Sequence, residues 1–204
     1  WPALADGDAE VGDGEGLRTA DGTLVLPSRL ALGWLGPLPD PARLSSAEGR
    51  ATVTGALARS RRSVLLDAPW HDKVAPALDA IGRLEPLEAL KAAARALGGL
   101  GPGLTPAGDD ALSGVLFAFR ALGGPSVEPA LLAVARSVRT GDIAAALLEA
   151  AATGAHIEPA HDLVMAAAAR DASAAARAAR ALDEFGSTSG ADLAYGLRLT
   201  LTRR

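Results

Sequence analysis

From Leu44 onward the apolar positions recur at three- and four-residue intervals, which predicts a chain of helices. Ser45 or Ser46 can cap a first helix running to about Ser60, followed by Arg61, Arg62 and the short apolar run Val64–Leu66. Glu85–Leu97 reads as a helix ended by Gly98 and Gly99. Leu112, Val115, Leu116, Phe119 and Leu122 share one helical stripe. Further helices are predicted over residues 127–139, 142–153, 158–169, 171–184 and 189–202. Their short connections predict antiparallel neighbours. The start of the chain differs. Residues 1–22, rich in Gly, Asp and Glu, read as a mobile lead-in. Thr23–Leu26 and Arg29–Leu35 read as two short strands or edge segments, and Pro37, Pro39 and Pro41 as a stiff connector. The expected fold is mainly α, a compact multi-helix domain with a small β or irregular N-terminal part. Residues 1–42 would form the irregular segment and 43–204 the helical domain.

Composition narrows the class. Of 204 residues, 49% are hydrophobic but only 3% aromatic, and alanine is the commonest type. Such a core calls for closely packed helices. The net charge of −4 argues against a nucleic-acid binder with a broad basic surface. The absence of cysteine excludes disulfides, zinc–thiolate sites and thiol nucleophiles. No stretch supplies the ~20 continuous apolar residues of a transmembrane helix, so no membrane is expected as a partner. Trp1–Glu10 is acidic and carries no signal-peptide pattern, so a cytoplasmic location is expected. The chain opens on Trp1, as a trimmed chain or a fragment would.

Two loops carry the candidate chemistry. The first, Gly98-Gly-Leu-Gly-Pro-Gly-Leu-Thr-Pro-Ala-Gly-Asp-Asp110, opens directly into a strong helical pattern. Thr105 reads as an N-cap with Pro106 at the first helical position. Gly101, Gly103 and Gly108 permit positive φ and close approach of a ligand to backbone. A helix N-terminus favours an anion. Asp109 shares the stripe of Leu112 and Leu116, so its carboxylate needs a partner: its own helix's N–H groups, an arginine, or a metal. Asp110 lies above Ser113, Gly114 and Phe117, on a side kept thin by Gly114, Ala118 and Ala121. Another helix could approach closely there.

The second loop, Phe185-Gly-Ser-Thr-Ser-Gly-Ala-Asp-Leu193, also opens a helix. Both loops read Gly-x-Thr-x-x-x-Asp, at Gly103, Thr105 and Asp109 and at Gly186, Thr188 and Asp192. Two similar helix N-termini would then face one site, presenting Thr105, Ser187, Thr188, Ser189, Gly190 and the carboxylates. Such a site suits a small anion, with Mg²⁺ at Asp109 and Asp110 as a candidate bridging ion. Ser189-x-x-Asp192 also fits a capping box, a purely structural role.

Other candidates are weaker. His156 and His161 stand five apart and do not share a helix face as metal pairs do. His71 follows Trp70 in an expected loop. Arg61–Arg62 and Arg136/Arg139 read more readily as solvated faces or ion pairs than as anion sites. The first loop lacks the Gly-Lys-Ser/Thr ending of a P-loop, and no Gly-x-Ser-x-Gly elbow occurs.

Gly99-Leu-Gly-Pro-Gly-Leu-Thr-Pro-Ala-Gly-Asp-Asp110 resembles the signature of the AllH-like family, and Gly186–Asp192 followed by Gly196 resembles its C-terminal motif. Arg139-Thr140 and the segment through Ala144, Ala145, Leu147, Leu148 and Gly154 are similar to the family as well. The resemblance implies a subunit of oxamate carbamoyltransferase, which moves a carbamoyl group between oxalurate and carbamoyl phosphate in purine and allantoin breakdown. It implies other carbamoyltransferase subunits as partners and a ligand of the carbamoyl phosphate, oxamate or oxalurate class. The Ser-Thr-Arg-Thr phosphate motif of ordinary carbamoyltransferases is absent. Two rival readings stay open: a non-catalytic assembly subunit, and a Mg²⁺-dependent hydrolase acting through Asp109 and Asp110.

Overall fold

The computed structural model describes residues 9–11, 16–19, 22–25, 36–67, 69–83, 86–101 and 103–202. They fall into two units, Trp1–Gly36 and Pro37–Arg204. In the first, β1 (Ala9–Val11), β2 (Gly16–Thr19) and β3 (Gly22–Val25) form an antiparallel sheet in that order. Leu17 pairs with Val11 on one side and with Leu24 on the other. Two of these strands lie inside the segment expected to be a lead-in. The expected strand Arg29–Leu35 lies outside the described residues.

The second unit is a compact, mainly α-helical domain. Its helices are α1 (Pro41–Leu44), α2 (Ala47–Leu57), α3 (Trp70–Arg83), α4 (Pro86–Leu97), α5 (Ala107–Gly123), α6 (Glu128–Arg136), α7 (Asp142–Thr153), α8 (Glu158–Ala169), α9 (Ala172–Asp183) and α10 (Ser189–Leu201). Single 3₁₀ turns at Val64–Leu66 and Pro125–Val127 link neighbours. Ser46 caps α2 by accepting the Gly49 N–H at 3.0 Å. Gly154 ends α7 in the left-handed conformation, as a C-terminal glycine does. Arg170 ends α8 the same way at φ 61°, a geometry that costs a non-glycine residue about 1 kcal/mol.

Helix α3 corrects one expectation: Trp70 and His71 begin a helix and not a loop. Pro76 disguises it in the sequence, because proline removes one ladder bond. The burial of Val74, Ala77 and Leu78, at helical spacing, holds the helix against its neighbours.

Helix α5 is the axis of the domain. Ala111, Leu112, Val115, Leu116, Phe117 and Ala118 are all fully buried, so apolar contact surrounds the helix and is not confined to one stripe. Small side chains make this possible by admitting neighbours on every side. Among the described residues no helix is long and apolar enough to cross a membrane.

Candidate functional site

Helices α5 and α10 start from the two Gly-rich loops and run parallel, with their backbones in near contact. A Cβ placed on Gly114 would lie 2.5 Å from the Leu193 carbonyl oxygen and 3.0 Å from the Leu197 nitrogen. One placed on Gly196 would overlap the Ala111 carbonyl oxygen and approach the Val115 nitrogen at 3.1 Å. The two sets of contacts mirror each other. Gly108 and Gly190 each hold the second position of their helix, Asp110 and Asp192 the fourth, and Gly114 and Gly196 the eighth. Gly108 and Gly190 repeat a further detail. Their N–H groups donate to Leu100 and Phe185 carbonyls, each at 2.9 Å, and a Cβ on either would overlap a carbonyl of the preceding helix, Leu97 or Leu182.

The internal repeat is therefore Gly-x-Asp-x-x-x-Gly within the helices. The spacing Gly-x-Thr-x-x-x-Asp is real in the sequence, but it equates Asp192 with Asp109. The structure equates Asp192 with Asp110. The loops before the helices differ in length, which hides this register.

The two helix starts meet. Thr105 Oγ1 lies 3.4 Å from Ser189 Oγ across the pair. Asp110 sits beneath them, 9% exposed, where the Ser189 and Thr105 hydroxyls favour its charged form. Burial outweighs those hydroxyls and, with the charges of Asp192 and Asp109, pushes the Asp110 carboxyl up to about 6. Asp192 is wholly buried. Its Oδ1 accepts the Ser63 hydroxyl at 2.6 Å and the Val64 N–H at 3.1 Å. Burial raises its carboxyl too, against these bonds, the Thr188 hydroxyl and the Arg61 charge. One oxygen of each acid, Oδ2, is buried without a hydrogen-bond partner.

Asp109 plays another part. Both its oxygens accept the Gly99 N–H, at 3.1 and 3.2 Å, and Oδ2 accepts the Thr140 hydroxyl at 2.7 Å. It ties the start of α5 to the turn after α4 and to the segment before α7. Burial raises its carboxyl, opposed by those same two donors. Asp109 and Asp110 thus face different partners. Among the described residues no group of three or more His, Asp or Glu side chains is placed to hold a metal ion.

The local backbone departs from the expected caps. Pro106 and Thr188 occupy the N-cap positions, neither with a side-chain cap bond. The Thr105 hydroxyl is thereby left to face Ser189. The Asp192 side chain bonds Ser63 and Val64, so its role is to hold a neighbouring segment and not to close a capping box. Gly101 and Gly103 take φ of 117° and 103°, as their loop requires, whereas Gly108 is helical and is needed for close packing. Ser187 is exposed and contributes its carbonyl, which accepts an Arg61 N–H at 2.7 Å.

Four residues outside the two loops complete the arrangement: Thr140, Ser63, Ser113 and His156. Ser113 donates to the Asp110 carbonyl at 2.7 Å and lies 3.2 Å from His156 Nε2. His156 Nδ1 accepts the Ile157 N–H, which places its proton on Nε2, toward Ser113. His161 Nε2 accepts the His156 N–H at 3.2 Å. Both rings meet Phe117 edge-on. Burial holds His156 down to about 4, so it is neutral at pH 7. The histidines brace the back of α5 as core residues. Thr140 had a sequence signal as part of the Arg139-Thr140 pair, Ser113 by its place below Asp110 and His156 as a weak metal candidate, whereas Ser63 had none.

Two parallel helices crossing at paired glycines, each with a buried aspartate one turn from its start, define a compact helical domain built around one close helix pair. Residues 97–201, from the end of α4 to the end of α10, match the family described as oxamate carbamoyltransferase subunit AllH. The chain belongs to that family. No curated protein and no solved structure matches it.

Proposed function

We propose that this chain is a subunit of a carbamoyltransferase-type complex. In this reading the cleft between the starts of α5 and α10 binds a small anionic ligand of the oxamate, oxalurate or carbamoyl phosphate class. The observation that carries the reading is the meeting of the two loops at Thr105 and Ser189. Two helix N-termini supply a positive end to the cleft, and the hydroxyls supply hydrogen bonds. The buried Asp110 oxygen without a partner is suited to an N–H donor, such as a carbamoyl or amide nitrogen.

A second reading draws on a different observation. Leu104, in the first loop itself, is 76% exposed, and Ile143 and Leu147 lie exposed one helical turn apart on α7. These favour a partner subunit that docks at the loop, which makes an assembly role compatible with ligand binding. Co-purification from the native host, followed by a carbamoyl-transfer assay on the assembly and on this chain alone, tests both. The assembly is expected to transfer carbamoyl groups. Thr105→Val is expected to lower that rate at least tenfold while the assembly stays intact. Unchanged transfer in the variant would leave the cleft without a role in the reaction and favour assembly alone.

A further inference from the structure

A cavity of about 340 Å³ opens on the face of α10 turned away from α5, and its polar lining comes from Ser60, Arg61, Arg62, Ser63, Tyr195 and Arg198. We propose that this cavity is a second anion site, built for a small phosphate-bearing molecule, and distinct from the Thr105–Ser189 cleft.

Three guanidinium groups on one small cavity need a reason. The sequence alone gives none, because Arg61 and Arg62 read as a solvated pair and Arg198 lies far along the chain. Arg61 is held by two carbonyl oxygens, Asp183 at 3.1 Å and Ser187 at 2.7 Å, and its own backbone N–H donates to Asp183 Oδ1 at 3.0 Å. Carbonyls fix the orientation of a guanidinium without neutralising it, and the carboxylate that feels the Arg61 charge is the buried Asp192. The remaining Arg61 N–H donors are left for another acceptor. Arg62 uses Nε on Asp67 Oδ1 at 3.1 Å and one terminal nitrogen on the Leu66 carbonyl at 2.6 Å. That ion pair is open to solvent, with the two side chains 66% and 61% exposed, so it neutralises Arg62 weakly. Arg198 stacks 5.5 Å from the Tyr195 ring centroid, which orients it. The Ser60 hydroxyl is buried in the wall without a partner. Planar forks held in place are the side chains that bind phosphate oxygens in pairs. The cavity volume lies at the lower end of the range for small-molecule pockets, which suits a phosphate and a short substituent. Asp192 is wholly buried behind Ser63, to which its Oδ1 is bonded, and is not among the residues that line the cavity. This site stands whether or not the cleft binds ligand.

The test is phosphorus NMR of inorganic phosphate added to the full chain at constant ionic strength, with chloride as the competing anion. Saturable broadening is expected, and Arg198→Ala should weaken the apparent affinity at least tenfold. Arg177→Ala, an exposed arginine on α9, should leave it unchanged. Both variants alter solvent-exposed side chains, and circular dichroism confirms that each is folded. Equal weakening in the two variants would overturn the proposal in favour of general charge screening, and so would the absence of saturable broadening. An oxamate titration in parallel separates the sites. Oxamate binding that survives Arg198→Ala supports two sites, whereas its loss with that of phosphate would merge them into one and overturn the distinction.

Discussion

Gly196→Ala is expected to destabilise the domain by roughly 3 kcal/mol, near the upper end of what one added methyl group costs in a packed interior. The new Cβ would overlap the Ala111 carbonyl oxygen, which is backbone and cannot swing aside. Relief requires α5 and α10 to separate, and α5 is buried on every side. Gly114 faces the same constraint from the other helix, so no slack exists across the crossing. For a domain of this size the loss corresponds to a melting temperature lower by about 6–12 °C. Separation of the helices would also pull Thr105 from Ser189, so any ligand binding at the proposed site should fall with stability. Calorimetry on the variant decides the point. A melting temperature within ~2 °C of the parent would contradict the close crossing.

Asp110→Asn should do the opposite and stabilise the protein at neutral pH. Burial lifts the Asp110 carboxyl from 3.8 to about 6 in the folded state. Between those values the folded protein holds more protons than the unfolded chain. Stability therefore falls as pH rises from about 4 to about 6 and stays level above that. The penalty at pH 7 is on the order of 2–3 kcal/mol. Asp109 and Asp192 are raised by burial as well, which adds to the trend in the same direction. Asparagine keeps the shape, removes the desolvated charge and adds N–H donors. Urea unfolding at pH 4.5 and pH 7.5 reads the effect. The parent should be less stable at the higher pH, and the variant should show a shallower fall and exceed the parent there. A variant less stable than the parent at pH 7.5 would mean that the charge is already satisfied within the fold. A buried charge retained at a cost to stability is a mark of function.

Much of the helical framework was legible because local signals agreed. Helices α7 and α8 have the bounds that Gly154 and the Ala-rich period suggest, Asp142–Thr153 and Glu158–Ala169. Helix α3 was not legible, because Pro76 reads as a breaker, and the burial of Val74 and Leu78 that holds the helix arises only from packing in the folded domain. The thin side of α5 at Gly114 foretold a close neighbour, but not that the neighbour is α10 or that it runs parallel.

The two loops were legible as stretches of sequence, but their arrangement was not. Both loops stand out by composition, and they do meet. The division of labour among the acids was hidden. Thr140 lies 31 positions from Asp109, and Ser63 lies 129 positions from Asp192. No local pattern announces such pairs. The register of the repeat was hidden for a related reason. The threonines that suggest one alignment lie in loops of unequal length, while the glycines that set the true one lie inside the helices.

One ligand site formed by the starts of α5 and α10 has a distinct signature in solution. Amide nitrogen–proton NMR during an oxamate titration tests it most directly. The amides of residues 103–105, 107–110 and 186–192 are expected to shift together and saturate with a single dissociation constant. Shifts confined to one loop, or absent from both, would contradict it.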